Sequence, residues 1–375
     1  MAIVKFGDVA TRVNTKEDRH NTDLVYYVGG DHIDSNALKV SKRGVIKGVP
    51  LGPMFYFGFK PGDILFVTRN PHLRKSAMVD FSGICSEKTL VIATKDENVL
   101  CQKYLAGVMQ SDDFWDFLEE NKSGSVNYFI NWSTLAEYEF DLPPIEEQRA
   151  LAEKLWAAND LREKYQNLLA ATDEMLKAKF REMFGECRGQ SAECGVISDL
   201  TEGSVESVSA KYGPNDEFSY IDISSVGGTF EGIGICEKFK RNRSPSRAQQ
   251  CVKRGDIVVS MVRPNLRKMA IVDFDDDNYV ASTGFCVIRP KQGMCQYLKG
   301  VVASEEFTAA MMAEAKGTNY PAVNNRHIMD YPILIPTAEW AQEFGKVLEQ
   351  SEVLKAELKK SIASIDAVMR GLING

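Results

Sequence analysis

The chain has 375 residues, 44% of them apolar and 26% charged, with 45 Lys and Arg against 52 Asp and Glu for a net charge of −7. Such a composition excludes a disordered tail or a collagen-like repeat and suffices for two or three packed domains. No run of 18 apolar residues occurs and the N-terminus lacks the charged start and apolar centre of a signal peptide, so a cytoplasmic location without a membrane partner is expected.

Taken in order, the first β-like runs are 23–28, 63–67 and 89–93, with turn residues between them. One helical stretch is predicted over 100–120, closed by a breaker at Gly124. After Leu142-Pro143-Pro144 a long helix is predicted over 145–184, apolar at Leu151, Leu155, Ala158, Leu161, Tyr165, Leu168, Thr172, Leu176, Phe180 and Met183. Glu146 and Glu147 suit the positive end of its dipole, and Gly185 should end it. At 1.5 Å per residue it spans about 60 Å, more than one small core can cover. Strands follow at 220–223, 256–260 and 285–289, then a helical stretch over 295–315 and a breaker at Gly317. The C-terminal segment repeats the single stripe at Trp340, Phe344, Leu348, Leu354, Leu358, Ile362, Ile365, Met369 and Leu372. Two such helices are predicted to pair as an antiparallel coiled coil with a globular domain at each end.

The order of elements repeats because the sequence does. Residues 60–81 lie over residues 253–274 with 12 identities in 22 positions, at an offset of 193. Chance would give roughly one or two. The same offset carries Tyr104 onto Tyr297, Ser111 onto Ser304, Phe114 onto Phe307, Asn131 onto Asn324 and Pro143 onto Pro336. A period this long is a duplicated domain, and two related domains suit a target with two related halves.

Charge is distributed by the same repeat. Residues 238–268 hold ten Lys and Arg against one acid, Asp256, and residues 39–75 hold eight against one, Asp63. Two equivalent basic windows on an acidic chain fit a duplex-reading role, because only the contacting face has to neutralise phosphates. Within them the turn Pro71–Lys75 and its counterpart Pro264–Lys268 repeat Pro-x-Leu-Arg-Lys. Arg69, Arg74 and Lys75, with Arg263, Arg267 and Lys268, are candidate DNA contacts, since lysine and arginine bind phosphates and the arginine fork matches a guanine edge. Lys42, Arg43 and Lys47, with Lys238, Lys240, Arg241, Arg243 and Arg247, precede the turns in segments that do not match between repeats, where differing base sequences would be read. Asn127-Tyr128 and Asn319-Tyr320 could add base-edge or sugar contacts, or serve as turn and core residues.

Catalytic motifs are missing from the reading. Asn70-Pro71-His72-Leu73 has a likeness to the Asn-Pro-Pro-aromatic loop of DNA amino-methyltransferases, but its counterpart Arg263-Pro264-Asn265-Leu266 lacks the second proline and the aromatic residue. There is no phosphate-binding Gly-x4-Gly-Lys loop. The eight cysteines, Cys187 among them, contain no Cys-x-x-Cys, and the four histidines have no metal spacing, so reduced structural thiols and no bound metal are expected.

Four motifs in this order, Gly62–Leu65 with Gly255–Val258, Ser282–Pro290, Gly317–Asn324, and Leu142–Gln148 at the start of the long helix, together with the half-length repeat, resemble the specificity subunit of type I restriction-modification systems. The resemblance implies an α+β chain: two mixed target recognition domains (1–143 and 188–336), separated by a central conserved helix (144–187) and a distal one (337–375), with a pseudo-two-fold. It implies a non-catalytic subunit that reads a bipartite, asymmetric sequence in double-stranded DNA. Two methyltransferase subunits would dock on the helices, through Pro143, Pro144, Glu147 and Gln148, and motor-endonuclease subunits would join for cleavage. S-adenosylmethionine, ATP and Mg would belong to those partners, with no cofactor on this chain. The second proline motif, Pro336-Thr-Ala-Glu-Trp-Ala341, departs by losing the second proline and the Glu-Gln pair. A protein-interaction scaffold and a stand-alone DNA-modifying enzyme are the alternative readings.

Overall fold

The run Ile64-Leu65-Phe66-Val67 sets the architecture of the first half. All four side chains are buried, and a strand turns successive side chains to opposite faces, so both faces of its sheet must be covered. Ile64 and Phe66 share a core with Leu105, Phe114, Trp115 and Leu118 of a helical layer, whereas Leu65 and Val67 share one with Val28, Phe57 and Cys85 of a second sheet. In this computed structural model residues 2–125, 127–184, 194–228, 232–317 and 321–375 are described; Gly185, Cys187, Asn319 and Tyr320 lie outside them. The chain divides into two compact units, Met1–Leu168 with Leu358–Gly375, and Leu169–Glu357.

The first unit contains β1 (Ala2–Lys5), α1 (Phe6–Val9), β2 (Ala10–Val13), β3 (Tyr26–Val28), β4 (Gly44–Val45), β5 (Phe55–Phe59), β6 (Ile64–Val67), β7 (Ser76–Met78), β8 (Gly83–Ser86), β9 (Thr89–Thr94), α2 (Gln102–Val108), α3 (Asp112–Glu120), α4 (Trp132–Ala136) and β10 (Glu139–Leu142), and then the first part of α5 (Ile145–Phe184). Its helix-facing sheet has the order β2-β9-β6-β7 and is antiparallel throughout. The outer sheet has the order β4-β3-β8-β5 with β3 and β8 parallel. Strand β6 starts where Gly62, at φ +94°, lets the chain turn, and the Asp63 carboxylate accepts the Lys60 N–H at 2.9 Å to close that turn.

The second unit repeats this plan with β11 (Cys194–Val196), α6 (Val208–Lys211), β12 (Glu217–Ile221), β13 (Glu237–Lys240), β14 (Ala248–Val252), β15 (Ile257–Ser260), β16 (Met269–Ile271), β17 (Tyr279–Ser282), β18 (Phe285–Ile288), α7 (Cys295–Val302), α8 (Glu305–Glu314), α9 (Asn325–Met329), β19 (Pro332–Leu334) and the first part of α10 (Ala338–Asn374). The order β13-β12-β17-β14 matches β4-β3-β8-β5, and β12 and β17 are again the parallel pair. Even the irregularity is repeated: the register shifts between Phe55 and Phe57 in β5 and between Ala248 and Gln250 in β14. Ile257 and Val259 face the helices with Tyr297 and Phe307, while Val258 faces Ile221 and Ala281 of the outer sheet.

Each helical stretch expected to be continuous is two helices. The chain breaks between α2 and α3 and between α7 and α8, where Ser111 and Ser304 leave the helical conformation and their hydroxyls accept the N–H of Phe114 and Phe307. Serine followed by two acids is a helix start, and it overrides the apolar spacing that ran through it. The long helices match expectation, and within each unit their segments run antiparallel. In the first unit Leu155 and Met369 share a cluster, and further along Arg162 pairs with Asp366 at 3.4 Å. In the second, Asp173 pairs with Lys355, and the Phe180 and Phe344 rings meet at 5.3 Å.

Candidate nucleic-acid interface

The repeated turn leaves β6 in one unit and β15 in the other. Pro71–Leu73 and Pro264–Leu266 each make one turn of 3-10 helix, with a proline buried at its first position. Both turns are bracketed by non-glycine residues in the left-handed region: Asn70 at φ 53° and Arg74 at 49°, Arg263 at 50° and Arg267 at 51°. That conformation costs an ordinary residue roughly 1–2 kcal/mol, less for asparagine, so the surroundings have to hold it. Inside the turns Leu73 and Arg74 donate to Asn70 and Pro71 carbonyls at 2.9 and 2.8 Å, and Leu266 and Arg267 donate to Arg263 and Pro264 at 2.9 Å each. His72 and Leu73, and likewise Asn265 and Leu266, form the exposed tips.

The cations expected to hold phosphates are largely fasteners of these turns. Arg74 pairs with Asp112 at 2.5 Å and lies 3.7 Å from Asp116, while Arg267 donates to the Ala303 carbonyl just before α8. Lys75 donates to the Gly30 carbonyl at 2.6 Å, and Lys268 to the Ile223 carbonyl at 2.8 Å. In both units, then, the Arg-Lys pair ties the turn to the start of α3 or α8 and to a short 3-10 turn, Gly30–His32 or Ile223–Ser225. The Arg69 guanidinium lies 5.0 Å over the Phe129 ring and reaches the Asn127 carbonyl at 3.4 Å, and Arg263 is exposed. Backbone bonds from Asn70 to the Tyr128 carbonyl (3.0 Å) and from Arg263 to the Pro321 carbonyl (2.7 Å) hold those two residues alongside the turns. The tip residues lie outside the pattern of Lys and Arg that marks the basic windows. The signal for them was already in the repeat, which keeps Leu73 and Leu266 and exchanges His72 for Asn265.

The other candidates lie in or beside the edge strands β4 and β13 of the outer sheets. Lys42 pairs with Asp34 at 2.6 Å, Arg43 stacks on Tyr26 and Phe81 at 4.1 and 4.7 Å, and Lys47 is exposed. Lys238 and Lys240 are exposed on the edge strand β13, and Arg243 and Arg247 are exposed beyond it. Arg241 instead donates to the Tyr212 carbonyl at 2.5 Å. Parts of both basic windows are neutralised, Lys39 by Asp80 at 2.8 Å and Arg254 by Asp273 and Asp275 at 2.8 and 3.0 Å.

Of the residues expected to meet a partner, Pro144 and Glu147 are exposed and Pro143 is buried. Gln148 is fully buried; its carbonyl accepts from Cys101 N–H at 2.9 Å, and its amide donates to Val99 and Pro143 carbonyls at 3.0 and 2.8 Å. It joins the start of α5 to the chain before α2, so any effect on docking runs through that joint. Burial pushes the Cys85 and Cys286 thiols up to about 12, as befits packing residues. Among the described residues no group of three His, Cys, Asp or Glu could hold a metal ion, and no helix is long and apolar enough to cross a membrane.

No family model matches the chain. It is 32% identical over 117 residues to the type I restriction enzyme HindI specificity subunit of Haemophilus influenzae, covering 30% of this chain and 26% of that protein. It is 26% identical over 197 residues to the EcoDI specificity subunit of Escherichia coli, covering 51% and 42%. These matches span about a quarter of the first relative and about two fifths of the second. The fold is that of the type I restriction-modification S subunit from M. genitalium, with a TM-score of 0.60 at 12% identity over 99% of this chain and 94% of that one. A chain from a structure of complex assembly and conformational transition in the type I R-M system gives 0.56 at 17% identity over 99% and 96%. The resemblance read from the sequence is borne out by these matches.

Proposed function

We propose that the chain is the non-catalytic sequence-reading subunit of a type I restriction-modification complex in the cytoplasm, each unit reading one half of a split, asymmetric target in double-stranded DNA. The observation that carries this reading is the repeated loop cluster, in which the same braced turn recurs on two copies of one scaffold, with basic residues near the edge strand of each outer sheet. The similarity to specificity subunits supports it from a separate direction. Divergent segments 39–47 and 238–247 on a common frame suit two different half-sites. Two methyltransferase subunits would dock against the long helices, where Leu161, Leu168 and Val368 are exposed in the first unit and Met175, Trp340, Val353 and Leu354 in the second. Motor-endonuclease subunits would add cleavage, and S-adenosylmethionine, ATP and Mg would be bound by those partners.

The test is to co-express the chain with its methyltransferase partner and map modified bases in the host DNA. A gapped, two-part motif that appears only with this chain is expected. Replacing residues 190–336 by the same region of another such subunit should change one half of the motif and leave the other. DNA binding by the assembled complex that ignores both sequence and salt would overturn the reading.

A further inference from the structure

Leu73 and Leu266 are large apolar side chains left 38% and 48% exposed at the tips of the two repeated turns. A single exposed leucine needs no explanation. Here the same one recurs 193 residues on, although its neighbour changes from His72 to Asn265. The backbone beneath it is also unusual: of the five described non-glycine residues with positive φ, four bracket these turns, one on each side of each leucine tip. Proline at the first position, the internal hydrogen bonds and the fastened Arg-Lys pair keep each tip from yielding under load. Strained backbone held by its surroundings is a mark of functional sites.

Resting on the DNA-reading proposal above, we infer that Leu73 and Leu266 are apolar wedges, one for each half of the target, that press between stacked bases of the duplex. A wedge has to be apolar, stiff, and flanked by groups that hold the backbone on either side. Leucine on a braced turn supplies the first two, while Arg69 beside one turn and Arg263 at the start of the other supply cations. Apolar side chains inserted at a base step unstack it and bend the duplex, and this gives specificity through deformability without a hydrogen bond to any base. The exchange of His72 for Asn265 next to the wedge would then let each half-site differ in what is read beside a common distortion. A protein-docking role for the tips has less behind it, because each tip carries a single apolar side chain beside a polar one and not an apolar patch.

The experiment uses the full chain assembled with its methyltransferase subunits and a duplex carrying the mapped target, with 2-aminopurine placed step by step through each half-site. For the wild type, one step in each half should brighten on binding. Leu73→Ala should abolish the signal in one half only and Leu266→Ala in the other only, with roughly tenfold weaker binding in each case, the size of one lost base contact. Leu266→Met should restore the signal. Unchanged thermal unfolding, expected at such exposed positions, keeps the comparison free of folding effects. Brightening that persists in both alanine variants, or a wild type that binds its target without unstacking any step, overturns the wedges and leaves the DNA-reading proposal standing. A complex that selects no sequence at all overturns both.

Discussion

Asp63 and Asp256 stand at the same place in the two repeats and face different neighbours. Each carboxylate closes the turn before its strand, accepting the N–H of Lys60 or Lys253 at 2.9 or 2.8 Å. Asp256 also takes two hydrogen bonds from Arg289, at 2.9 and 2.7 Å, and this pairing holds the Arg289 guanidinium above its ordinary pKa. Among the described residues no arginine pairs with Asp63, and burial raises its pKa against the lowering effect of the Lys60 N–H and charge. A carboxyl raised in the folded state binds its proton more tightly there than in the unfolded chain, so its ionised form costs stability. Asp63→Asn keeps an oxygen for the Lys60 N–H and removes that charge, and denaturant unfolding should show unchanged or slightly higher stability above pH 5. Asp256→Asn leaves a mostly buried guanidinium half-paired and should cost about 3 kcal/mol in the second unit. Equal effects of the two substitutions would show that the arginine pairing is worth nothing.

At the scale of the element, the turn separates cations fastened to the protein from cations that remain exposed. Log binding constant against log salt falls by roughly 0.9 per neutralised phosphate. Arg243→Ala and Arg247→Ala, on the exposed margin beyond β13, are therefore each expected to reduce that slope by about one. Lys268→Ala should leave the slope nearly unchanged, because its ammonium is spent on the Ile223 carbonyl, yet weaken binding by loosening the turn. A full unit of slope lost in Lys268→Ala would return that lysine to the phosphate contacts. This division was only half legible in the sequence. Glycine and aspartate before a short continuous apolar run marked β6 and β15, and the three-four spacing of apolar residues marked α5 and α10 within a residue or two of their observed ends. The breaks at Ser111 and Ser304 were written as serine plus two acids but masked by apolar residues on both sides. The fate of Arg74 and Lys75 was hidden for a different reason: their partners, Asp112 and Gly30, are tens of residues away and come together only when the sheets close. Charge in a sequence shows what could meet a phosphate, and packing decides what is left to do so.

At the scale of the whole molecule, each long helix is divided between the two units, and the first unit is discontinuous in sequence as a result. The first unit ends its contiguous part at Leu168 and is completed by Leu358–Gly375, where Met369 is buried with Leu155 and Leu38, and the Asn374 side chain accepts the Asp112 N–H at the start of α3 at 2.9 Å. The second holds the other segments, with Phe344 buried against Phe180 and Leu176. A truncation in α10 is therefore a core mutation in whichever unit owns that stretch of the helix. Met369→Ala should cost about 2–4 kcal/mol and Phe344→Ala about 3–5 kcal/mol, the range for emptying a packed site. Hydrogen exchange locates the loss. For Met369→Ala, faster exchange is expected in α10 after residue 358 and in α2 and α3; for Phe344→Ala, in α7, α8 and the start of α10. Exchange that rises equally in both units for either substitution would show that they unfold as one cooperative body. The duplication would then have been merged into a single folding unit although each half buries its own apolar clusters.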